Sequence, residues 1–304
     1  MSRNLSFGVI TIQNTPWPSM VERWLRFEAL GFDSIWLADH FYNYVAPEQP
    51  FWEAWTSLAA LAVHTSRIRV GTLVSQIPFR NPALFASEAL TVDHISNGRL
   101  EIGLGTGSQG DPGNTMMGLE NWPPAERVAR FREYIEIVDT LLCNGTANYQ
   151  GTYYQAKEAS LNPRPVQKPR PPITIAALGP SMLRIAARYA DRWNTYPAGT
   201  TSEPEAFRVL KERNTQLDDA CAQIGRDPSE ISRSILVYYR LGDLRPFASV
   251  GAFEDYVGGY REAGINEFMF YHPLKEWYKS STDVDEEVFE QVATEVIPRL
   301  KEQG

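Results

Sequence analysis

Between Phe7 and Leu300, short apolar runs alternate eight times with longer amphipathic runs. That rhythm leaves few folds open: eight βα units predict an α/β chain closed into a (β/α)8 TIM barrel. The predicted strands are LSFGVIT from Leu5, SIWLADH from Ser34, IRVGTLV from Ile68, LEIGLGTG from Leu100, ITIAAL from Ile173, RWNTYP from Arg192, ISRSILVYYR from Ile231 and EFMFYHP from Glu267. Each is β-branched or aromatic and continuous enough to be buried on both faces. Between them apolar residues recur at helical spacing, as in Met20, Trp24, Phe27 and Leu30, or Phe131, Ile135, Val138 and Leu142, which predicts an outer ring of helices. Gly31 and Gly264 stand where a helix must end in a left-handed turn before the next strand.

A barrel of this kind takes ~250 residues plus insertions, so residues 1–304 are expected to form one domain. The main insertion is predicted between helix 4 and strand 5, from Cys143 to Pro172. Its NYQGTYYQA segment alternates about a central glycine like a small hairpin, and the proline-rich NPRPVQKPRPP must run extended over the surface. A second long loop, from Gly107 to Arg127, leaves the C-terminal end of the fourth strand, where barrel enzymes keep their chemistry.

No apolar run approaches the ~20 residues of a membrane span and no signal-peptide pattern opens the chain, so a cytoplasmic protein with no membrane partner is expected. The net charge of −8 argues against a nucleic-acid partner, because phosphate binding needs a positive field. Cys143 and Cys221 lie in no CxxC pattern, and the four histidines show no metal-ligand spacing, so no metal is expected. Asn4 and Asn144 fit a glycosylation pattern that has no bearing on a cytoplasmic chain.

Strand C-termini converge on one mouth of a barrel, which makes the list of candidate residues short. It holds Thr11 and Gln13, Asp39 and His40, Thr72 to Gln76, Gly105 to Ser108, Ala177 to Ser181, and His272. Within ADHF, His40 is the candidate proton shuttle, with a carboxylate or backbone group fixing its tautomer; the alternative is a histidine that only closes the barrel top. LGPSM, from Leu178 to Met182, opens a helix after a strand, which suits a phosphate, or is an ordinary helix start. GLGTG, from Gly103 to Gly107, lets backbone crowd against a planar ligand. Phe41, Tyr42, Tyr44, Phe51 and Trp52 are candidates for a substrate lining.

The run WLADH, then TSRIRVGTLVSQIPFRNPALFASEALTVDHISNGRLEIGLGTG, then NPRPVQKPRPPITIAALGPSMLRIAARYADRWN resembles the bacterial luciferase-like monooxygenase superfamily, in particular its branch using the deazaflavin coenzyme F420. The resemblance implies a TIM barrel with a flavin or deazaflavin at the mouth, serving hydride transfer or oxygenation of a small organic substrate. By the same resemblance His40 is the catalytic proton-handling group and Asp39 faces the ring system. Thr72, Leu73 and Val74 form the bulge behind the ring, with a non-prolyl cis peptide between Leu73 and Val74. Thr106 and Gly107 lie beside the cofactor, while Ala177 and Leu178 lead into the phosphate loop of Gly179, Pro180 and Ser181. Two departures stand out. A sugar-phosphate dehydrogenase of this branch has a glutamate directly after GTG, where this chain has Ser108, and Arg192 replaces the usual glycine before Trp193.

The function implied is F420-dependent hydride transfer. Its alternatives are a monooxygenase using reduced FMN from a separate cofactor reductase, and a non-catalytic flavin-binding barrel. A homodimer is also implied. The deazaflavin's acidic tail calls for a local basic surface on so acidic a chain, for which Arg164, Lys168 and Arg170, or Arg80, are the candidates.

Overall fold

The computed structural model describes residues 4–43, 46–108, 110–197, 202–237, 246–272 and 284–303. The strands are β1 (Ser6–Thr11), β2 (Ser34–Leu37), β3 (Arg69–Thr72), β4 (Ser75–Gln76), β5 (Leu100–Gly105), β6 (Thr146–Gln150), β7 (Gln155–Ser160), β8 (Ile173–Ala176), β9 (Arg192–Thr195), β10 (Ser232–Val237) and β11 (Glu267–Tyr271). The helices are α1 (Trp17–Ala29), α2 (Ala54–His64), α3 (Pro82–Ile95), α4 (Pro112–Met116), α5 (Pro124–Asn144), α6 (Pro180–Tyr189), α7 (Glu203–Gln223), α8 (Val250–Glu262), α9 (Glu286–Gln291) and α10 (Ile297–Gln303). A π-helical turn, Val292–Val296, joins the last two.

The parallel strands run in the order β3, β2, β1, β11, β10, β9, β8, β5, and the pairing of β3 with β5 closes them into the expected barrel. Strand alternation sorts the side chains into two cores. Leu100, Ile102 and Leu104 face the helices, whereas Trp36, Ala38, Met269 and Tyr271 fill the lumen. At the N-terminal end of the lumen Arg192 bonds Glu101 at 2.6 Å and also reaches Glu267, while Arg69 holds the other oxygen of Glu101. The two carboxylates explain how an arginine is accommodated before Trp193: they supply the opposite charge that a buried guanidinium requires. Gly31 and Gly264 have φ of 84° and 92°, the left-handed turns expected of them.

The insertion contains the expected hairpin, with β6 and β7 antiparallel. The proline-rich strap runs under the opposite end of the barrel from the mouth. Arg164 donates to the carbonyl of Cys143, Lys168 donates to that of Pro165, and Arg170 bonds Asp139 at 2.6 Å and Asp191 at 2.5 Å. The basic residues expected to receive an acidic tail are therefore spent within the strap and around the end of α5, far from the mouth. Cys143 and Cys221 are free thiols, half-buried and buried respectively. Among the described residues no helix is long and apolar enough to cross a membrane.

Candidate active site

A cavity of about 640 Å³ opens at the C-terminal ends of the barrel strands. Its first wall is the loop after β2, where two neighbours find different partners. His40 follows Trp36 and Ala38 toward the lumen; Asp39 also lines the cavity, but its carboxylate turns away from His40 toward Arg80. Gln13 clamps this loop, accepting from the Ala38 amide at 3.2 Å and donating to the Ala38 carbonyl at 2.7 Å.

The carboxylate beside His40 is not that of Asp39. Arg80 binds both Asp39 oxygens, at 2.7 and 3.2 Å, and the Gln76 amide donates to the same group at 3.1 Å. Burial pushes the Asp39 carboxyl up from its ordinary value, with Arg80 opposing. His40 instead meets Asp111, Nδ1 to Oδ2 at 3.0 Å. Burial would raise Asp111 as well, yet hydrogen bonds from His40, the Gly113 amide and Gln76 hold its carboxyl below the ordinary range. Arg80 also pairs with Glu53 and Glu88, so it is occupied by three carboxylates and is not a receiver for an acidic tail.

The second wall is apolar. Between β3 and β4 the Leu73–Val74 peptide is cis, as the resemblance implied, and both side chains line the cavity with Leu236 and Tyr271. Gly105 lets this wall close in, since a Cβ there would lie 2.5 Å from Val74 Cγ2.

Thr106, Gly107 and Ser108 form the third side, backed by Arg127 and Val128 of α5. Arg127 donates to the Gly107 carbonyl, while its buried Nε has no hydrogen-bond partner among the described residues. Burial also lowers the pKa of this guanidinium. Opposite lie Leu178, Gly179, Pro180 and Ser181, where α6 begins with Pro180 and no side chain among the described residues caps its first amides. Ser181 Oγ accepts from Arg184 at 3.1 Å.

Two expected site residues stay behind the walls. Thr72 turns to Ser75, Oγ1 to Oγ at 2.7 Å, and Ala177 is buried with its carbonyl bonded to Trp193 Nε1 at 2.8 Å. His272 also faces away, stacked 3.9 Å from Phe289. Phe41, Tyr42, Phe51 and Trp52 do not line the cavity, and Tyr44 lies outside the described residues. Among the described residues, the tyrosines that line the cavity are Tyr196 and Tyr271; neither was expected there, although strand parity with Asn194 and Met269 would have found both. Asp111 and Arg127 were missed too. The DPG turn marks Asp111 as a helix cap, though nothing local ties it to a histidine 71 residues earlier.

Residues 6–296 match the model of a family described as luciferase-like monooxygenase. An F420-dependent glucose-6-phosphate dehydrogenase of Microbacterium testaceum (strain StLB037) is 34% identical over 211 residues, 67% of this chain and 58% of that protein. The oxygenase component of flavin-dependent trigonelline monooxygenase from Acinetobacter baylyi is 27% identical over 269 residues, 88% of this chain and 68% of that one. The chain thus spans less than two thirds of the length of the dehydrogenase it matches. The solved structure of an F420-dependent secondary alcohol dehydrogenase with an F420-acetone adduct superposes with a TM-score of 0.78 at 20% identity, covering 96% of this chain and 99% of that one. With the barrel, its mouth and nearly the whole sequence in agreement, the chain belongs to the luciferase-like monooxygenase family.

Proposed function

We propose that this protein is an F420-dependent oxidoreductase, moving a hydride to or from a small, largely apolar organic substrate, with residues 1–304 acting as one domain in the cytoplasm. The observation that carries the reading is the pairing, in one cavity, of a buttressed histidine with a close-packed apolar wall. The relative from Microbacterium testaceum, named as F420-dependent, supports the choice of cofactor.

The residues present fit such a group. Leu73 and Val74 offer a flat apolar backing that Gly105 leaves room for. Among the described residues, the first turn of α6 and the Arg127 Nε lack partners that a phosphate would supply. When bound, the deazaflavin would supply two-electron hydride chemistry. The chain's own part is to orient the reactants, exclude water behind Val74, and hold or move a proton at His40. A homodimer belongs to the same reading.

The second reading is a monooxygenase using reduced FMN from a separate reductase, favoured by the trigonelline monooxygenase component that matches 88% of the chain. Titrating F420 and FMN separately into the purified protein, followed by fluorescence, tests the choice. Tighter binding of F420 is expected. Tighter binding of FMN would reverse the assignment, and binding of neither would remove both.

A further inference from the structure

The imidazole of His40 is held by a carboxylate from a different βα loop, at a site where the resemblance leads one to look for an acid at 108 and finds Ser108. We propose that Asp111 is a positioning residue for proton transfer, fixing His40 as the Nδ1–H tautomer so that Nε2 carries the lone pair that takes up a proton and later returns it. The inference rests on the oxidoreductase reading above for its purpose, and on geometry alone for the tautomer.

Three contacts fix the geometry of Asp111. Its side chain is 3% exposed. Oδ1 accepts from the Gly113 amide at 2.8 Å, and Oδ2 accepts from Gln76 Nε2 at 3.2 Å and faces His40 Nδ1 at 3.0 Å. Gln76 is oriented in turn, because its Oε1 accepts from the Ser108 amide at 3.2 Å and so its Nε2 must be the donor. That Nε2 also lies 3.4 Å from His40 Nδ1, which taken alone would make Nδ1 an acceptor. The carboxylate decides otherwise. An ionised oxygen at 3.0 Å cannot face an unprotonated ring nitrogen without lone-pair repulsion, and the amide has better acceptors in the Asp39 carbonyl at 2.8 Å and in Asp111 itself. Nδ1 therefore carries the hydrogen. When Nε2 takes a proton, the new charge on the ring sits against a carboxylate already in place. Asp111 does not line the cavity; it acts through His40.

The test reads the tautomer directly. In protein carrying 15N-labelled histidine, only four residues give signals, and His40→Gln identifies the one that matters. Above the titration range, His40 of the unmodified protein is expected as Nδ1–H with unprotonated Nε2. In Asp111→Asn the cap on the Gly113 amide survives, because asparagine caps as well as aspartate, but an amide hydrogen now points at Nδ1. The pattern should reverse to Nε2–H. An Nε2–H signal in the unmodified protein overturns the proposal with no variant needed, and so does an unchanged tautomer in Asp111→Asn. F420 titrated into the same two samples is expected to bind within about twofold, as Asp111 does not line the cavity; a larger loss with the tautomer unchanged would make Asp111 merely structural. Tautomer reversal in a protein that does not bind F420 would sink the deazaflavin reading and leave the assignment of Asp111 standing.

Discussion

Arg80 grips Asp39 with both arms of its guanidinium, Nη1 to Oδ2 at 2.7 Å and Nη2 to Oδ1 at 3.2 Å. The same side chain, 10% exposed, also meets Glu53 at 2.5 Å and Glu88 at 3.1 Å, so one cation neutralises part of a three-carboxylate cluster directly behind the His40 loop. Burial pushes the Glu88 carboxyl up, as expected where negative charge is in excess. Removing the cation would leave Asp39 buried and uncompensated. Arg80→Met is expected to cost ~3–5 kcal/mol in denaturant unfolding. Arg80→Lys should recover only part of this, since an ammonium cannot bridge two carboxylate oxygens in the same plane. A loss below about 1 kcal/mol for the methionine variant would mean the cluster is solvated rather than buried.

Gly103 and Gly105 share the lumen face of β5 but guard different things. A Cβ on Gly103 would lie 1.8 Å from the Thr72 carbonyl oxygen, a backbone atom that cannot step aside, whereas one on Gly105 would meet the Val74 side chain at 2.5 Å. Gly103→Ala is therefore expected to lower stability by ~1–3 kcal/mol through forced strand separation. Gly105→Ala should cost less in unfolding experiments, yet push Val74 into the cavity and weaken F420 binding by about tenfold. Equal stability losses with unchanged binding would contradict the placement of Val74 at the cavity wall.

The barrel was legible because its information is local: a run of buried strand residues, an amphipathic stretch and a glycine at the helix end are each written in a few consecutive positions. So was the position of His40 at a strand end. What escaped depends on which residues meet in space. Asp39 and His40 both line the cavity, yet their polar partners were not legible: the Asp39 carboxylate goes to Arg80, and the carboxylate that meets His40 is Asp111. Strand parity puts Tyr271 in the lumen and turns His272 toward α9. Arg164, Lys168 and Arg170 read as a basic patch, but a charge run does not reveal which end of the barrel it lies under, and each of these side chains satisfies a backbone carbonyl or carboxylate there.

Glu133 of α5 ties down the tip of the insertion hairpin through its backbone amides. Glu133 accepts from the amides of Thr152, Tyr153 and Tyr154 at 2.8, 2.8 and 3.0 Å, and Gly151 leaves it the space, since a Cβ there would lie 2.3 Å from Glu133 Oε2. One turn earlier Arg130 lies 4.1 Å from the Trp122 ring centre and 4.4 Å from that of Tyr153, joining the hairpin tip to the loop that follows α4. Hydrogen bonds to a charged acceptor are worth ~1.5–3 kcal/mol each when lost from a buried site, less when exposed. Glu133→Ala is expected to cost ~1–3 kcal/mol and to speed hydrogen exchange at residues 152–154 ahead of the barrel strands. Unaltered exchange at those three amides would show that β6 and β7 hold the tip without Glu133.

His272 makes the protein's stability depend on pH in a predictable direction. Burial drives its pKa down from 6.5 to about 3, and Arg26 and Arg23 push the same way. The ring stacks on Phe289 at 3.9 Å with an interplanar angle of 10°. Glu286 Oε1 lies 3.4 Å from Nε2, but Glu286 is exposed and already bonds Arg26 at 2.8 Å, so it does not keep the ring charged. The folded state therefore refuses a proton that the unfolded chain accepts. Stability from this group is complete above pH 6.5 and is lost as pH falls from 6.5 toward about 3, at ~1.4 kcal/mol per pH unit. Replacing the ring by phenylalanine keeps the aromatic stack and removes the titration. Urea unfolding at about pH 7, 6, 5 and 4 should then give His272→Phe a shallower decline than the unmodified protein, the two curves separating by ~1.4 kcal/mol per unit below the ordinary histidine range. Parallel curves would mean that the ring is protonated in the folded state and that Glu286, not Phe289, decides its charge.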